Sequence, residues 1–158
     1  MSNNEELVVT HCMSGSNASG TAVIVSARRM GKILQQLFVN VGDSTTRWCA
    51  EHAVKLSNVR GVLLTSLAPQ HVSGLPGLLL SLSTLGVGSL LIAGPAGLQG
   101  MLDSMEVFTN RRYPEVEVRE FTVLDTVETA IELGKFKVGV QPMASVDQVQ
   151  QLLLIIFV

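Results

Sequence analysis

The amino-acid sequence predicts a layered α/β sandwich with a mixed sheet. Three observations lead there. Residues 7–41 fall into short runs of alternating burial separated by turn residues, the pattern of antiparallel strands. The middle of the chain changes to helical spacing interrupted by short, nearly all-apolar runs, as strands buried on both faces require. Alternation returns in Glu115-Val116-Glu117-Val118-Arg119. A chain of 158 residues fits one domain, taken as 1–158.

Taken in order, Leu7–His11 reads as a strand, Ser14–Gly20 as a loop and Thr21–Ser26 as a second strand. Arg28-Arg29-Met30-Gly31-Lys32 is a basic turn, and Gln36–Val41 returns as a third strand. Ser44, Thr45 or Thr46 can cap a helix whose apolar stripe is Trp48, Cys49, Ala53 and Leu56, ending before Ser57-Asn58. Val59–Leu64 is a buried strand. A helix follows from about Gly77 to Leu85, stopped by Gly86-Val87-Gly88. Ser89–Ala93 is another buried strand, broken by Gly94-Pro95, and a helix then carries Leu98, Met101, Leu102 and Met105 on one face. Gly134–Val140 alternates less strictly, and Thr126–Ile131 fits either a turn or a short helix. The run Leu152–Val158 reads as a central strand. Such a strand needs neighbours on both sides. The expectation is therefore a fragment of a longer chain, or a chain cut before an inserted segment.

Apolar residues make up 47% of the chain and charged residues 15%. That is ample for a core and sparse for a fully solvated surface. The net charge of −2 lacks the basic excess of a non-specific nucleic-acid binder. No apolar run reaches the roughly 18 residues of a membrane helix. The start, Met-Ser-Asn-Asn-Glu-Glu, resembles neither a secretory signal nor an Arg-rich transit peptide. The expected location is intracellular, whether nucleus, cytosol or mitochondrion. Cys12 and Cys49 match no metal or redox spacing and are expected to be buried free thiols. The three histidines, His11, His52 and His71, could scarcely furnish one catalytic zinc site even if all converged.

Chemistry is concentrated in Leu64-Thr65-Ser66-Leu67-Ala68-Pro69-Gln70-His71-Val72-Ser73-Gly74-Leu75-Pro76-Gly77-Leu78-Leu79, an apolar strand running through a polar turn into a helix. His71 reads as either a remnant metal ligand or a side chain that hydrogen-bonds within the loop and orients the helix. Gly74-Leu75-Pro76-Gly77 lacks the Lys-Ser/Thr of a phosphate-binding P-loop, and Pro76 suits a helix start. The segment Phe38-Val39-Asn40-Val41-Gly42-Asp43-Ser44-Thr45-Thr46-Arg47 is the second landmark. Asp43 is either an acid beside a site or, as favoured here, a cap for the helix near Ser44, where a carboxylate suits the positive helix end. Ser44 and Thr45 are expected to do similar work. Arg47 either touches RNA or pairs with a nearby surface acid. The basic clusters Arg28-Arg29-Lys32 and Arg111-Arg112 read as solvated turns in preference to phosphate contacts.

These segments together resemble the tRNase Z family of the metallo-β-lactamase superfamily. The 38–47 segment is similar to that family's Phe-x-Cys-Gly-Glu-Gly-Thr-Gln-Arg stretch, with Gly42, Thr45 and Arg47 matching and Asp43 replacing Glu. The 64–79 segment resembles the metal loop and its helix. Ile92-Ala93-Gly94-Pro95-Ala96-Gly97-Leu98 resembles a Gly-Pro-x-Gly-Leu strand end, and Lys137–Met143 resembles the strand before a later metal histidine. The resemblance implies an αββα sandwich of mixed sheets flanked by helices. It also implies a loop reading Thr-His-x-His-x-Asp-His. In this chain the three earlier ligand positions hold Ser66, Ala68 and Gln70, with His71 remaining, and the later histidine position falls on Ser145. None of Ser, Ala or Gln is a competent zinc ligand there. The expectation is no catalytic residue, no metal and no cofactor in this chain. Zinc would belong to a partner half, as in the long tRNase Z form, whose amino half has lost its metals and whose carboxyl half keeps them. Precursor tRNA would be reached through that assembly. The other class considered is a stand-alone pseudoenzyme serving as a structural subunit of a ribonucleoprotein or other assembly. A hydrolase with a rebuilt site is a third.

Overall fold

The computed structural model describes residues 5–13, 20–109, 113–122, 129–143 and 151–157. Six strands form one sheet in the order β1-β2-β3-β4-β5-β6: Glu5–Met13, Ala22–Arg29, Lys32–Val39, Val59–Leu63, Ser89–Pro95 and Glu115–Phe121. β1, β2 and β3 are antiparallel, and β3 through β6 are parallel, so the sheet is mixed. The change of hand follows from the connections. Met30-Gly31 closes a tight hairpin, both residues having positive φ, whereas each later strand is reached through a helical crossover. Three further strands, β7 (Thr129–Leu133), β8 (Phe136–Met143) and β9 (Gln151–Phe157), make a second, antiparallel sheet.

Strand alternation divides the apolar residues between two cores. On one face of the large sheet, Ile24, Phe38, Val62, Ile92 and Leu90 pack with helices α1 (Thr45–Glu51), α2 (Pro69–Val72), α3 (Leu75–Thr84) and α4 (Leu98–Thr109). On the other face, Val25, Ala27, Leu37, Leu63, Leu91 and Ala93 pack against Leu133, Phe136, Val138 and Val140 of the small sheet. The order of layers is helices, large sheet, small sheet. α3 shows why the helices stay: Leu75, Leu78, Leu79 and Leu82 recur at helical spacing and all are fully buried. Each contributes about 1.5–3 kcal/mol relative to exposure. Gln35 ties the sheets together by a side-chain clamp, Nε2 donating to Leu133 O at 2.7 Å and Oε1 accepting from Lys135 N at 3.0 Å.

Several elements differ from the sequence reading. α1 stops at Glu51, so Ala53 and Leu56 leave its stripe. A Schellman closure ends it, with Val54 N donating to Cys49 O at 2.9 Å and Ala53 N to Ala50 O at 3.3 Å, and Ala53 sits at the left-handed position with φ 52°. Ala53→Gly removes that steric penalty and is expected to raise stability by about 0.5–1 kcal/mol, read from urea or thermal unfolding. β5 continues through Gly94 and Pro95, which pair with Glu120 and Phe121, so the Gly-Pro ends the strand without breaking it. α3 begins at Leu75, two residues ahead of Gly77. Residues 129–131 of the ambiguous stretch are strand, because they pair with 138–140 of β8; 126–128 lie outside the described residues, as do Arg111 and Arg112. β9 pairs antiparallel with β8 from Gln151 to Phe157, and among the described residues β8 is its one strand neighbour.

Candidate functional site

Three chain segments meet beyond the ends of β3 and β4: Gly20-Thr21, residues 40–45 and the 64–74 loop. Backbone hydrogen bonds knit them together. Thr21 N donates to Gln70 O at 2.9 Å, Gly42 N to Thr21 O at 3.1 Å, Val41 N to His71 O at 2.7 Å and Gly74 N to Val41 O at 2.9 Å. The segments run so close that side chains are excluded. A Cβ on Gly42 would collide with the backbone of Gly20 and sit 2.6 Å from Thr21 N, and one on Gly74 would collide with Gly42 O. Real Cβ atoms do not approach backbone that closely. Gly42 and Gly74 are therefore positions where loop meets loop.

Asn40 organises the same junction. It is buried, adopts a left-handed φ of 59°, and its Oδ1 accepts from both Thr65 N at 2.9 Å and Thr65 Oγ1 at 3.0 Å. The residue type is a readable signal, since Asn tolerates this conformation better than other non-glycine residues, yet the sequence reading assigned it no role. Thr45 is fully buried and its Oγ1 donates to Gly42 O at 2.6 Å. The capping role expected of Asp43, Ser44 and Thr45 is not found. Ser44 occupies the N-cap position with φ 62° and no side-chain cap hydrogen bond, Asp43 is exposed, and the Thr45 hydroxyl points its proton back to the loop. A left-handed cap residue lacks the extended backbone from which a side chain reaches the N2 or N3 amide. Arg47 pairs with Glu51 one turn along at 2.8 Å on the exposed face, a contact with little effect on stability. Pro76 sits in the first turn of α3; a Cβ on Gly77 would meet Thr46 of α1 at ordinary contact distance, and one on Gly94 would press on Leu64 and Leu98 at 3.2 Å.

The loop positions singled out in the sequence are arranged as follows. Ser66 is 1% exposed and its Oγ lies 2.6 Å from His71 Nδ1, while also accepting from Ala68 N at 3.3 Å. Ala68 is half-buried and Gln70 exposed. Ser145 lies outside the described residues. His71, half-buried, thus spends one ring nitrogen on Ser66, and its backbone oxygen holds Val41. His52 is elsewhere, exposed and stacked on Trp48 at 4.0 Å. Among the described residues no group of three or more His, Cys, Asp or Glu could hold a metal ion. The donor set at this loop is one imidazole already hydrogen-bonded, one enclosed hydroxyl, a methyl and an exposed amide. That set does not fit a catalytic zinc ion. The Ser66–His71 contact is the loop hydrogen bond expected of His71, with a partner the sequence did not name. It does not form a nucleophile and base, because Ser66 Oγ is sealed from substrate.

Burial lowers the His71 pKa below its ordinary value of 6.5. The unfolded chain takes up a proton near that value, whereas the folded protein does so at lower pH. Stability is therefore complete above pH 6.5 and is lost as pH falls through the interval down to the folded pKa. His71→Asn is expected to flatten the dependence of Tm between pH 8 and pH 5 relative to the parent chain; an unchanged slope contradicts this. Cys12 and Cys49 are both buried free thiols of the helix-side core. Burial pushes Cys12 up to about 12, aided by the neighbouring Cys49, and Cys49 up to about 11. Both stay protonated and act as small hydrophobes.

A sandwich of this layering, with loops gathered beyond parallel strand ends, has the metallo-β-lactamase fold. The crystal structure of human short-form tRNase Z superposes with a TM-score of 0.74 at 20% identity, over 94% of this chain and 63% of that one. A long-form RNase Z from yeast gives 0.70 at 14% identity, over 86% of this chain and 18% of that one. In sequence the chain is related to tRNase Z proteins. It is 34% identical to a mitochondrial tRNase Z of Arabidopsis thaliana over 106 residues, 65% of this chain and 11% of that protein. It is 35% identical to the mitochondrial ribonuclease Z of Drosophila melanogaster over 95 residues, 60% of this chain and 12% of that protein. The chain thus spans about a tenth of the length of the curated relatives it matches. No family model matches it.

Proposed function

We propose that this chain is a non-catalytic, amino-half type of tRNase Z domain, which packs on a zinc-dependent catalytic β-lactamase-like half and supports the trimming of precursor tRNA 3′ ends. One observation carries the reading: the loop junction of Gly20, Asn40, Gly42 and Gly74 is closed and hydrogen-bonded, while the residues standing at its metal positions do not fit a metal. The shape of a hydrolase is retained without its Lewis acid or its activated water. Such a domain acts through what it docks against. The sparse charge of the chain, 15%, suits an extensive apolar interface. The relatives' names place tRNase Z proteins in mitochondria, which supports an intracellular protein. No described helix is long and apolar enough to cross a membrane.

The test is reconstitution. The purified chain is assayed for 3′ cleavage of a precursor tRNA by itself, and again with a separately purified catalytic half of a long-form tRNase Z. The reading expects no cleavage by the chain, co-elution with the catalytic half, and increased turnover of that half. Metal-dependent cleavage by the chain itself, or no association and no change in turnover, overturns it.

A further inference from the structure

The cations of the chain are not spread evenly. Arg47, Arg119 and Lys137 stand in ion pairs with Glu51, Glu117 and Glu132. The other Lys and Arg among the described residues gather at one end of the sandwich, where β3 and β4 begin, opposite the loop junction. Arg28 and Arg29 close β2, Lys32 opens β3, Lys55 precedes the short helical turn Leu56–Asn58, Arg60 is the second residue of β4, and Lys135 lies in the β7–β8 turn. Hydrogen bonds tie these elements together. Asn58 Nδ2 donates to Ile33 O at 3.4 Å, Lys135 N to Gln35 Oε1 at 3.0 Å, and Arg60 Nη1 to Ser57 O at 3.0 Å and Val59 O at 2.9 Å. Arg28, Lys32, Lys55 and Arg60 have no carboxylate partner among the described residues. Arg28 Nε is also buried without a hydrogen-bond partner there. Glu5 and Glu6, opposite Arg29 and Arg28 in register, bound the surface on one side, and Glu115, opposite Ser89, on the other.

Arg60 is the centre of this end. It lines a cleft of about 420 Å³ with Ser57 and the 85–89 loop, and it is the one ionisable side chain in that lining. It also borders a second cleft, of about 340 Å³, whose carboxylates Glu117 and Glu132 are taken up by Arg119 and Lys137. Two backbone carbonyls hold the guanidinium, so little ordering remains when its other nitrogens meet an oxyanion. We propose that this end binds the phosphodiester backbone of RNA, with one phosphate seated in the Arg60 cleft and its neighbours meeting Lys55 and the β2–β3 hairpin. Cations on several separate elements suit a polymer charged at every unit better than a single anion. Guanidinium, ammonium and hydroxyl donors are the groups that hold a nucleic acid by its backbone. A flat bilayer reaches Met30 at the hairpin tip, 93% exposed, but not a guanidinium inside a cleft. The sequence alone favours a solvated turn for Arg28-Arg29-Lys32; Lys55 and Arg60, which only the fold brings to the same end, change that reading. The choice of RNA among polyanions rests on the proposed tRNase Z role.

Fluorescence anisotropy of the full 158-residue chain with a labelled precursor tRNA, over a series of salt concentrations, tests it. Affinity of the parent chain is expected to fall as salt rises. Lys32→Gln, Lys55→Gln and Arg60→Gln together are expected to lower affinity about tenfold or more, and to reduce the slope of log affinity against log salt by about 0.7–1 per cation removed. Arg47→Gln, at the other end and within an ion pair, is the control and is expected to change neither quantity. Should the Arg60 replacement unfold the chain, Lys32→Glu with Lys55→Glu, both exposed, decides by the same two readouts. An unchanged slope in the variants, equal weakening by Arg47→Gln, competition by polyglutamate as strong as by unlabelled tRNA, or binding to phosphatidylserine vesicles in place of RNA would each overturn the proposal. These outcomes are distinct from those of the reconstitution, where the tRNase Z role fails through cleavage by the chain or through lack of association with the catalytic half.

Discussion

Gly42→Ala is expected to unfold this protein or bring it to the margin of stability, with a loss of about 3 kcal/mol or more. The added methyl group has nowhere to go. It would meet the Gly20 backbone and Thr21 N at 2.6 Å, and these are main-chain atoms held by the Thr21–Gln70 and Gly42–Thr21 hydrogen bonds. A flexible side chain could swing aside, but a knitted backbone must move as a unit. Gly88→Ala is the matched control, because a Cβ there meets nothing within 4 Å. Denaturant unfolding of the two variants side by side checks the claim. Equal, small losses would mean that the loop junction is softer than its geometry implies.

Asn40 carries the second large effect. Asn40→Ala places an ordinary residue at φ 59°, at a penalty of about 1–2 kcal/mol, and strips Thr65 N and Thr65 Oγ1 of their shared acceptor, at about 1–3 kcal/mol. The expected loss is about 2–5 kcal/mol. The two components separate experimentally. Asn40→Gly relieves the backbone penalty while leaving the amide unpaired, and Asn40→Asp keeps the acceptor. Recovery is expected to be partial in the first and nearly complete in the second, measured by the denaturation midpoint at constant m-value. If Asn40→Ala matches the parent, the 64–74 loop is held by other contacts.

Much of the architecture is legible in the sequence, because period-2 and period-3.6 patterns leave direct traces. The alternation of Ile24/Val25 and Phe38/Leu37 between two cores, and the Leu75–Leu82 stripe, follow from side-chain geometry alone. What local pattern does not carry is where a helix ends when backbone closure overrides an apolar stripe, as at Ala53, or which long-range partner a strand finds, as with residues 129–131. That Ser66, Ala68 and Gln70 are poor zinc ligands is legible in the residue types. A loop hydrogen bond by His71 is expected from the sequence, but its partner Ser66 is not, because that depends on a turn geometry that places residues five apart within 2.6 Å. Gly42 and Gly74 are recognisable as parts of motifs, but the reason for them, contact of Gly42 with Gly20 and of Gly74 with Gly42 O across more than twenty residues of chain, exists only in the fold. The capping role assigned to Asp43 failed for a related cause: the left-handed Ser44 rotates the helix start away from the arrangement that residue preference suggests.

The central claim is that a hydrolase-type loop here is closed by protein contacts and takes no cation. Equilibrium dialysis of the full chain against micromolar zinc, with the metal then counted per chain by mass spectrometry, addresses it most directly. Retention well below one zinc per chain, identical in the parent and in His71→Ala, is the predicted result. One or more zinc ions per chain in the parent, lost on replacing His71, would contradict it.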